Sequence, residues 1–217
     1  MTRSAWIAGA TGMVGSHLVD ALLDGPTFDA VVTLGRRPLD RSHPKLTQAT
    51  VDFAALDPAK LPPVTDAFCA LGTTIKKAGS REAFRAVDHD AVLAFARAAK
   101  ARGASRFYVV TALGADAGSL VFYNRVKGEV EEALRAMGFE GLAIARPSLL
   151  VGERAESRPG ERLALAVTGA LKPLLKPFAS RPIDGAVVAK ALRAIADAPP
   201  SGARVYLSGE LQALGGG

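Results

Sequence analysis

The sequence predicts a doubly wound α/β fold with a mostly parallel sheet, one domain over residues 1–217 and a small C-terminal capping segment. Three observations carry that expectation. Short apolar runs alternate with longer amphipathic ones along the chain. Runs such as AFCAL and RFYVV are apolar throughout, as strands covered by helices on both faces are. A length of 217 residues with 49% apolar content is enough to bury a substantial core.

Taken in order, strands are expected at 5–8, 30–34, 47–51, 67–71, 107–110, 142–145 and 205–207, with helices at 13–23, 81–101, 123–137, 162–171 and 185–196. The first strand ends in glycines that open the first helix, and later strands are separated by stretches of helical period. After Pro147 the pattern loosens into the polar VGERAESRPGE. Ligands of open α/β sheets bind beyond the carboxyl ends of the strands, so residues 147–183 are read as a lid or substrate wall. The apolar stretch 163–178 admits three readings: a lipophilic pocket lining, a homodimer contact, or a packed core helix. The terminal glycines 215–217 are expected to fray.

Composition removes several function classes. One cysteine, Cys69, excludes an intramolecular disulfide framework and a cysteine-built zinc site; within an apolar strand it reads as a buried, inert thiol. His17, His43 and His89 lie in different segments without ligand spacing, so no metal is expected. The net charge of +6 comes from 27 basic and 21 acidic residues. These are scattered rather than clustered, which argues against nucleic acid and suits an anionic small molecule. No apolar tract is long enough to span a membrane and no signal-peptide pattern opens the chain, so a soluble cytoplasmic protein is expected.

The strongest local signal is Ala8-Gly9-Ala10-Thr11-Gly12-Met13-Val14-Gly15. In a strand–turn–helix setting Gly9 permits the tight turn. Gly12 lets backbone N–H groups approach a pyrophosphate, and Gly15 lets the helix pack on the strand. The second strand then ends in Gly35-Arg36-Arg37, where an NAD-binding protein would carry Asp or Glu for the ribose 2′-OH. Guanidinium forks match a 2′-phosphate, so NADP(H) is expected over NAD(H). Asp52, just beyond the third strand, sits at the depth of the adenine.

Tyr123 and Lys127 stand one helical turn apart. A phenol titrates near pH 10, and an adjacent ammonium is expected to lower that value, equipping the pair for proton transfer to a carbonyl oxygen. The same ammonium can bond the nicotinamide ribose. Thr111, at the end of the fifth strand, is either the group that bonds the substrate oxygen or a strand residue bonded to backbone. Lys76 and Lys77 read as solvated, with attraction of an anionic substrate as the other reading.

The stretches GATGMVG, LGRRP, ALGTTIKKAGSREAFRAVDHDAV, GADAGSLVFYNRVKGEVEEAL and ARPSLLVGER together resemble the atypical short-chain dehydrogenase/reductase family, in particular its HTATIP2/TIP30-like oxidoreductase group. The resemblance runs over nearly the whole chain. It implies a Rossmann-like sheet with NADPH across its C-terminal edge. Gly9, Thr11, Gly12, Met13 and Val14 would line the phosphates, with Arg36 and Arg37 at the 2′-phosphate. Leu71, Gly72 and Thr73 would lie under the nicotinamide ribose and Pro147 near the nicotinamide, with Tyr123 and Lys127 as the catalytic pair. Members commonly end the fifth strand with two hydroxyl residues; here Thr111-Ala112 lacks the second, leaving Thr111 or Ser119 to replace it. The expected function is an NADP(H)-dependent oxidoreductase acting on a carbonyl or alcohol. A catalytically weak NADPH-binding regulator acting through a protein partner is the alternative.

Overall fold

In the computed structural model, which describes residues 3–152 and 181–216, side-chain alternation sets the layers. Along β1 (Ser4–Ala8) Ala5 and Ile7 belong to one core and Trp6 and Ala8 to the other, all four fully buried. A strand buried on both faces needs helices on both. The other main strands are β2 (Ala30–Gly35), β3 (Leu46–Thr50), β4 (Asp66–Cys69), β5 (Arg106–Val110) and β6 (Gly141–Arg146). Helices α1 (Gly15–Leu23), α2 (Ile75–Ala78), α3 (Arg81–Arg85), α4 (Ala91–Ala101) and α5 (Phe122–Ala136) alternate with them. The chain continues through β7 (Leu150–Val151), β8 (Ile183–Asp184), α6 (Gly185–Asp197), β9 (Gly202–Leu207) and α7 (Ser208–Gly215).

Among the described residues seven strands form one sheet in the order β3-β2-β1-β4-β5-β6-β9, every neighbouring pair parallel. The order reverses between β1 and β4, the position where open α/β sheets hold ligands. One core joins Leu18, Leu22, Leu192 and Leu211 of α1, α6 and α7 to Ile7, Val31 and Phe68. The other joins Phe95, Ala96, Val130 and Leu134 of α4 and α5 to Trp6, Val32, Phe107 and Ile144. Each large side chain so buried contributes about 1.5–3 kcal/mol. At the opposite edge from the strand carboxyl ends, the buried Asp66 accepts from Arg3 at 2.7 Å, Thr65 at 2.8 Å and the Tyr108 hydroxyl at 3.0 Å.

All seven expected strands are present, each displaced by a few residues at most. The expected helix at 81–101 is continuous but contains a π-helical turn, Ala86–Asp90, between α3 and α4. Two features differ. The carboxyl end is not frayed at Gly215, which closes α7 and is buried so tightly that a Cβ would overlap the Val187 carbonyl oxygen. Residues 150–151 and 183–184 pair as a short parallel ladder. The expected helix at 162–171 and most of the 147–183 lid lie outside the described residues.

Candidate cofactor and catalytic site

Because the strands are parallel, the segments that follow them emerge on one edge. The turn after β1 is built from glycines for steric reasons that differ at each. Gly9 has φ +88°, and a Cβ there would lie 2.5 Å from the Ala70 carbonyl carbon at the end of β4. A Cβ on Gly15 would overlap the Gly9 carbonyl oxygen. At Gly12 a Cβ would meet only Gly9 and Ala70 carbonyl oxygens, at 3.1 and 3.8 Å, so the side away from the turn is open. Val14 supplies no side-chain cap to α1 and no acidic residue sits in its first turn. The helix start thus presents donors and partial positive charge that suit a phosphate. Thr11 is exposed and Met13 half-buried on this turn.

Arg36 and Arg37 are exposed directly after β2. Asp52 follows β3, exposed, with one carboxylate oxygen accepting from the Ala54 N–H at 3.0 Å. Leu71, Gly72 and Thr73 follow β4, and Pro147 follows β6, buried, its carbonyl accepting from Leu113 N–H at 2.9 Å. Every expected cofactor residue therefore occupies the same sheet edge. Lys76 and Lys77 are exposed on α2.

α5 starts from that edge and carries Tyr123 and Lys127 in its first half. Lys127 is 4% exposed, and its Nζ lies 2.8 Å from Oδ1 of Asp88, itself 1% exposed. The other oxygen of Asp88 accepts the Thr73 N–H at 2.8 Å. A Cβ on Gly72 would lie 3.4 Å from Asp88 Oδ1 and 3.9 Å from Lys127 Nζ, so the ammonium lies against the loop after β4. Burial works to lower the Lys127 pKa, but the neighbouring Asp88 and Tyr123 hold it above the usual lysine range. Burial raises that of Asp88, with Lys127 and the Thr73 N–H opposing it. Tyr123 departs from expectation: burial pushes its phenol above the usual range, Lys127 pulls it down, and Asp88 pushes it up again. The lysine does not act alone.

Asp88 was missed by sequence reasoning, although a signal exists. Phe84, Asp88 and Val92 recur at helical spacing and are all buried, so the carboxylate interrupts an apolar stripe.

Of the two readings of Thr111, the structure favours the strand residue bonded within the protein, its Oγ1 lying 3.4 Å from the Ala145 carbonyl oxygen. The Thr111 hydroxyl donates to Glu131 Oε1 at 2.7 Å, within a buried network in which Arg146 grips the same carboxylate at 2.9 and 2.6 Å. A carboxylate held by an arginine is ionised and accepts only. The one Thr111 proton is therefore engaged and is not available to a substrate oxygen. Ser119 accepts the Val121 N–H at 3.2 Å, forming the turn that enters α5. Cys69 is buried, which raises its thiol to about 12 and leaves it inert. Among the described residues no group of three His, Cys, Asp or Glu side chains is placed to hold a metal, and no helix is long and apolar enough to cross a membrane.

The sequence matches the NAD(P)H-binding family over residues 9–198. The chain belongs to the NAD(P)H-binding family. The glycine turn, uncapped helix start and open face of Gly12 fit the pyrophosphate that membership implies. Among relatives of this NAD(P)H-binding protein, HTATIP2 of Rattus norvegicus is 39% identical over 176 residues, covering 78% of this chain and 72% of its own. The protein fmp52 of Emericella nidulans is 37% identical over 173 residues, covering 76% and 74%. The solved structure of MoeE5 with UDP-glucuronic acid and NAD superposes with a TM-score of 0.72 at 19% identity, over 93% of this chain and 75% of that one. That likeness establishes the shared Rossmann-like fold. The relatives also correct one expectation: fmp52 is named a mitochondrial protein, so the cytoplasmic assignment is withdrawn.

Proposed function

We propose that this NAD(P)H-binding protein is an NADP(H)-dependent oxidoreductase of the atypical short-chain dehydrogenase/reductase type, moving a hydride between nicotinamide and a carbonyl or alcohol substrate. The observation that carries the reading is the buried ammonium of Lys127, held by Asp88 against the Gly72 loop one turn from Tyr123. That group stands on the edge that bears the glycine turn. Bound NADPH would supply the hydride. Gly9, Thr11, Gly12, Met13 and Val14 hold the pyrophosphate through backbone N–H groups, and Arg36 and Arg37 receive the 2′-phosphate through bidentate forks. Asp52 borders the adenine, and Leu71, Gly72, Thr73 and Pro147 bound the nicotinamide end, where Lys127 bonds the ribose. Tyr123 gives the substrate oxygen its proton.

A panel of small carbonyl compounds, followed by NADPH absorbance, tests this. Tyr123→Phe should reduce kcat/KM by about 100-fold or more, the range for a positioned general acid, with NADPH affinity retained. Equal turnover in the variant removes Tyr123 from the mechanism.

A second reading, a catalytically weak NADPH-binding regulator, draws support from the engaged Thr111 hydroxyl, which leaves the substrate oxygen one donor short. Tight NADPH binding with no turnover across the panel would favour it.

A further inference from the structure

A carboxylate on the inner face of a helix is costly unless its charge is matched. Asp88 lies there, between Phe84 and Val92, and the π-helical turn Ala86–Asp90 carries it. Such turns are rare within helices and are frequently found at functional sites. Its Oδ2 is fixed by the Thr73 N–H. Its Oδ1 touches Lys127 Nζ at 2.8 Å, yet among the described residues that oxygen has no hydrogen bond of proper angle. The contact is a charge contact, close and enclosed, between one full negative and one full positive group.

The groups around it leave the pair to itself. On α5 the neighbouring titratable group is Tyr123. From β4 comes the Cys69 thiol, neutral because burial raises it to about 12. On α3, Arg85 is paired with Glu129 at 2.5 Å, and the Arg81 guanidinium lies over the Phe122 ring at 5.2 Å. His89 and Asp90, next along the π turn, pair with each other at 2.6 Å. Lys127 therefore faces Tyr123, one helical turn away, with its charge partly offset by Asp88.

We propose that Asp88 opposes the charge of Lys127 and, together with burial, holds Tyr123 as a protonated phenol, a positioning residue that keeps the site in the form that gives a proton to a carbonyl oxygen. This rests on the reading of Tyr123 as the acid. In that step the phenol O–H bond breaks as the substrate O–H bond forms. The carbonyl carbon gains a hydride, with NADPH as the reductant oxidised to NADP+, and the phenolate left behind regains its proton from water. An uncompensated ammonium one helical turn away would instead favour the phenolate.

The full-length protein, labelled at tyrosine Cζ with carbon-13, is titrated by NMR from neutral to strongly alkaline pH, with Tyr123 assigned by the signal lost in Tyr123→Phe. In the wild type the Tyr123 midpoint should lie above the ordinary phenol value of about 10. In Asp88→Asn it should fall by about one to two pH units, the scale on which a nearby charge shifts a titration. A wild-type midpoint at or below the ordinary value overturns the proposal, even if the variant does not fold. So does an unchanged or higher midpoint in a folded variant. Because no turnover is read, a failed carbonyl panel would sink the oxidoreductase reading and leave this measurement standing. A normal Tyr123 titration would do the reverse.

Discussion

Tyr108 shows how far a single buried hydroxyl ties stability to pH. It donates to Asp66 at 3.0 Å, and burial together with that carboxylate raises its phenol well above the usual range, against the pull of Arg3 and Arg106. The fold therefore binds the phenolic proton more tightly than the unfolded chain does. Its contribution is complete below the unfolded value of about pH 10 and is lost as pH climbs beyond it. Tyr108→Phe should cost about 1–2 kcal/mol at pH 7, since Asp66 keeps Arg3 and Thr65. It should also flatten the fall in urea midpoint between neutral pH and pH ~10.5. A fall as steep as the wild type's would show that another group drives the alkaline loss. The placement of residues was legible in the sequence where it is set locally: the Tyr123–Lys127 spacing on one helix and the three glycines of the first turn need only their neighbours. For Thr111 the choice between its two readings was not legible because Glu131, which takes its hydroxyl, stands on a helix that folding brings across, and no strand sequence shows which hydroxyl a distant carboxylate will claim.

At the scale of elements, α5 is seated by a glycine as much as by its apolar face. A Cβ on Gly128 would overlap the Ala117 nitrogen and the Asp116 carbonyl carbon, so the helix and the loop before it touch backbone to backbone. Gly128→Ala adds helix propensity of at most about 1 kcal/mol, but the helix must move away from that loop, an overpacking cost of about 1–3 kcal/mol. The expected outcome is a lower urea midpoint and lower turnover together, because Tyr123 and Lys127 ride on the same helix. A variant more stable than the wild type would show the loop to be yielding. The central strands were readable because they are apolar on both faces, and β2 and β5 differ from expectation only at their ends. α7 was not, because SGELQALG buries little beyond Leu211 and closes through Gly215, leaving no apolar period to detect. The π turn was equally hidden, since it alters hydrogen-bond register without altering helical composition.

Across the whole molecule, parallel pairing turns a dispersed set of residues into one edge. Arg36 and Arg37 after β2 and Leu71–Thr73 after β4 flank the turn after β1, because β2 and β4 are its neighbours in the sheet. α6 braces that turn from behind: a Cβ on Gly185 would overlap the Met13 carbonyl oxygen, so the glycine turn is held between the strand ends and a helix from the far end of the chain. A ligand bound there bears on elements from both halves of the sheet, and its binding energy should appear as stability of the whole fold. At about 100 times its Kd a ligand specific to the folded state adds about 2.7 kcal/mol, which for a domain of this size raises Tm by about 5–10 °C. NADPH should produce that rise in a thermal melt, and NADH at the same concentration a smaller one. Replacing Arg36 and Arg37 together by Ala should bring the NADPH shift, measured from the variant's own unliganded Tm, down to the NADH shift while leaving the latter nearly unchanged. If the double variant loses both shifts equally, the arginines act on the adenosine without regard to its 2′-phosphate, and the NADP(H) preference has to be assigned elsewhere on the edge.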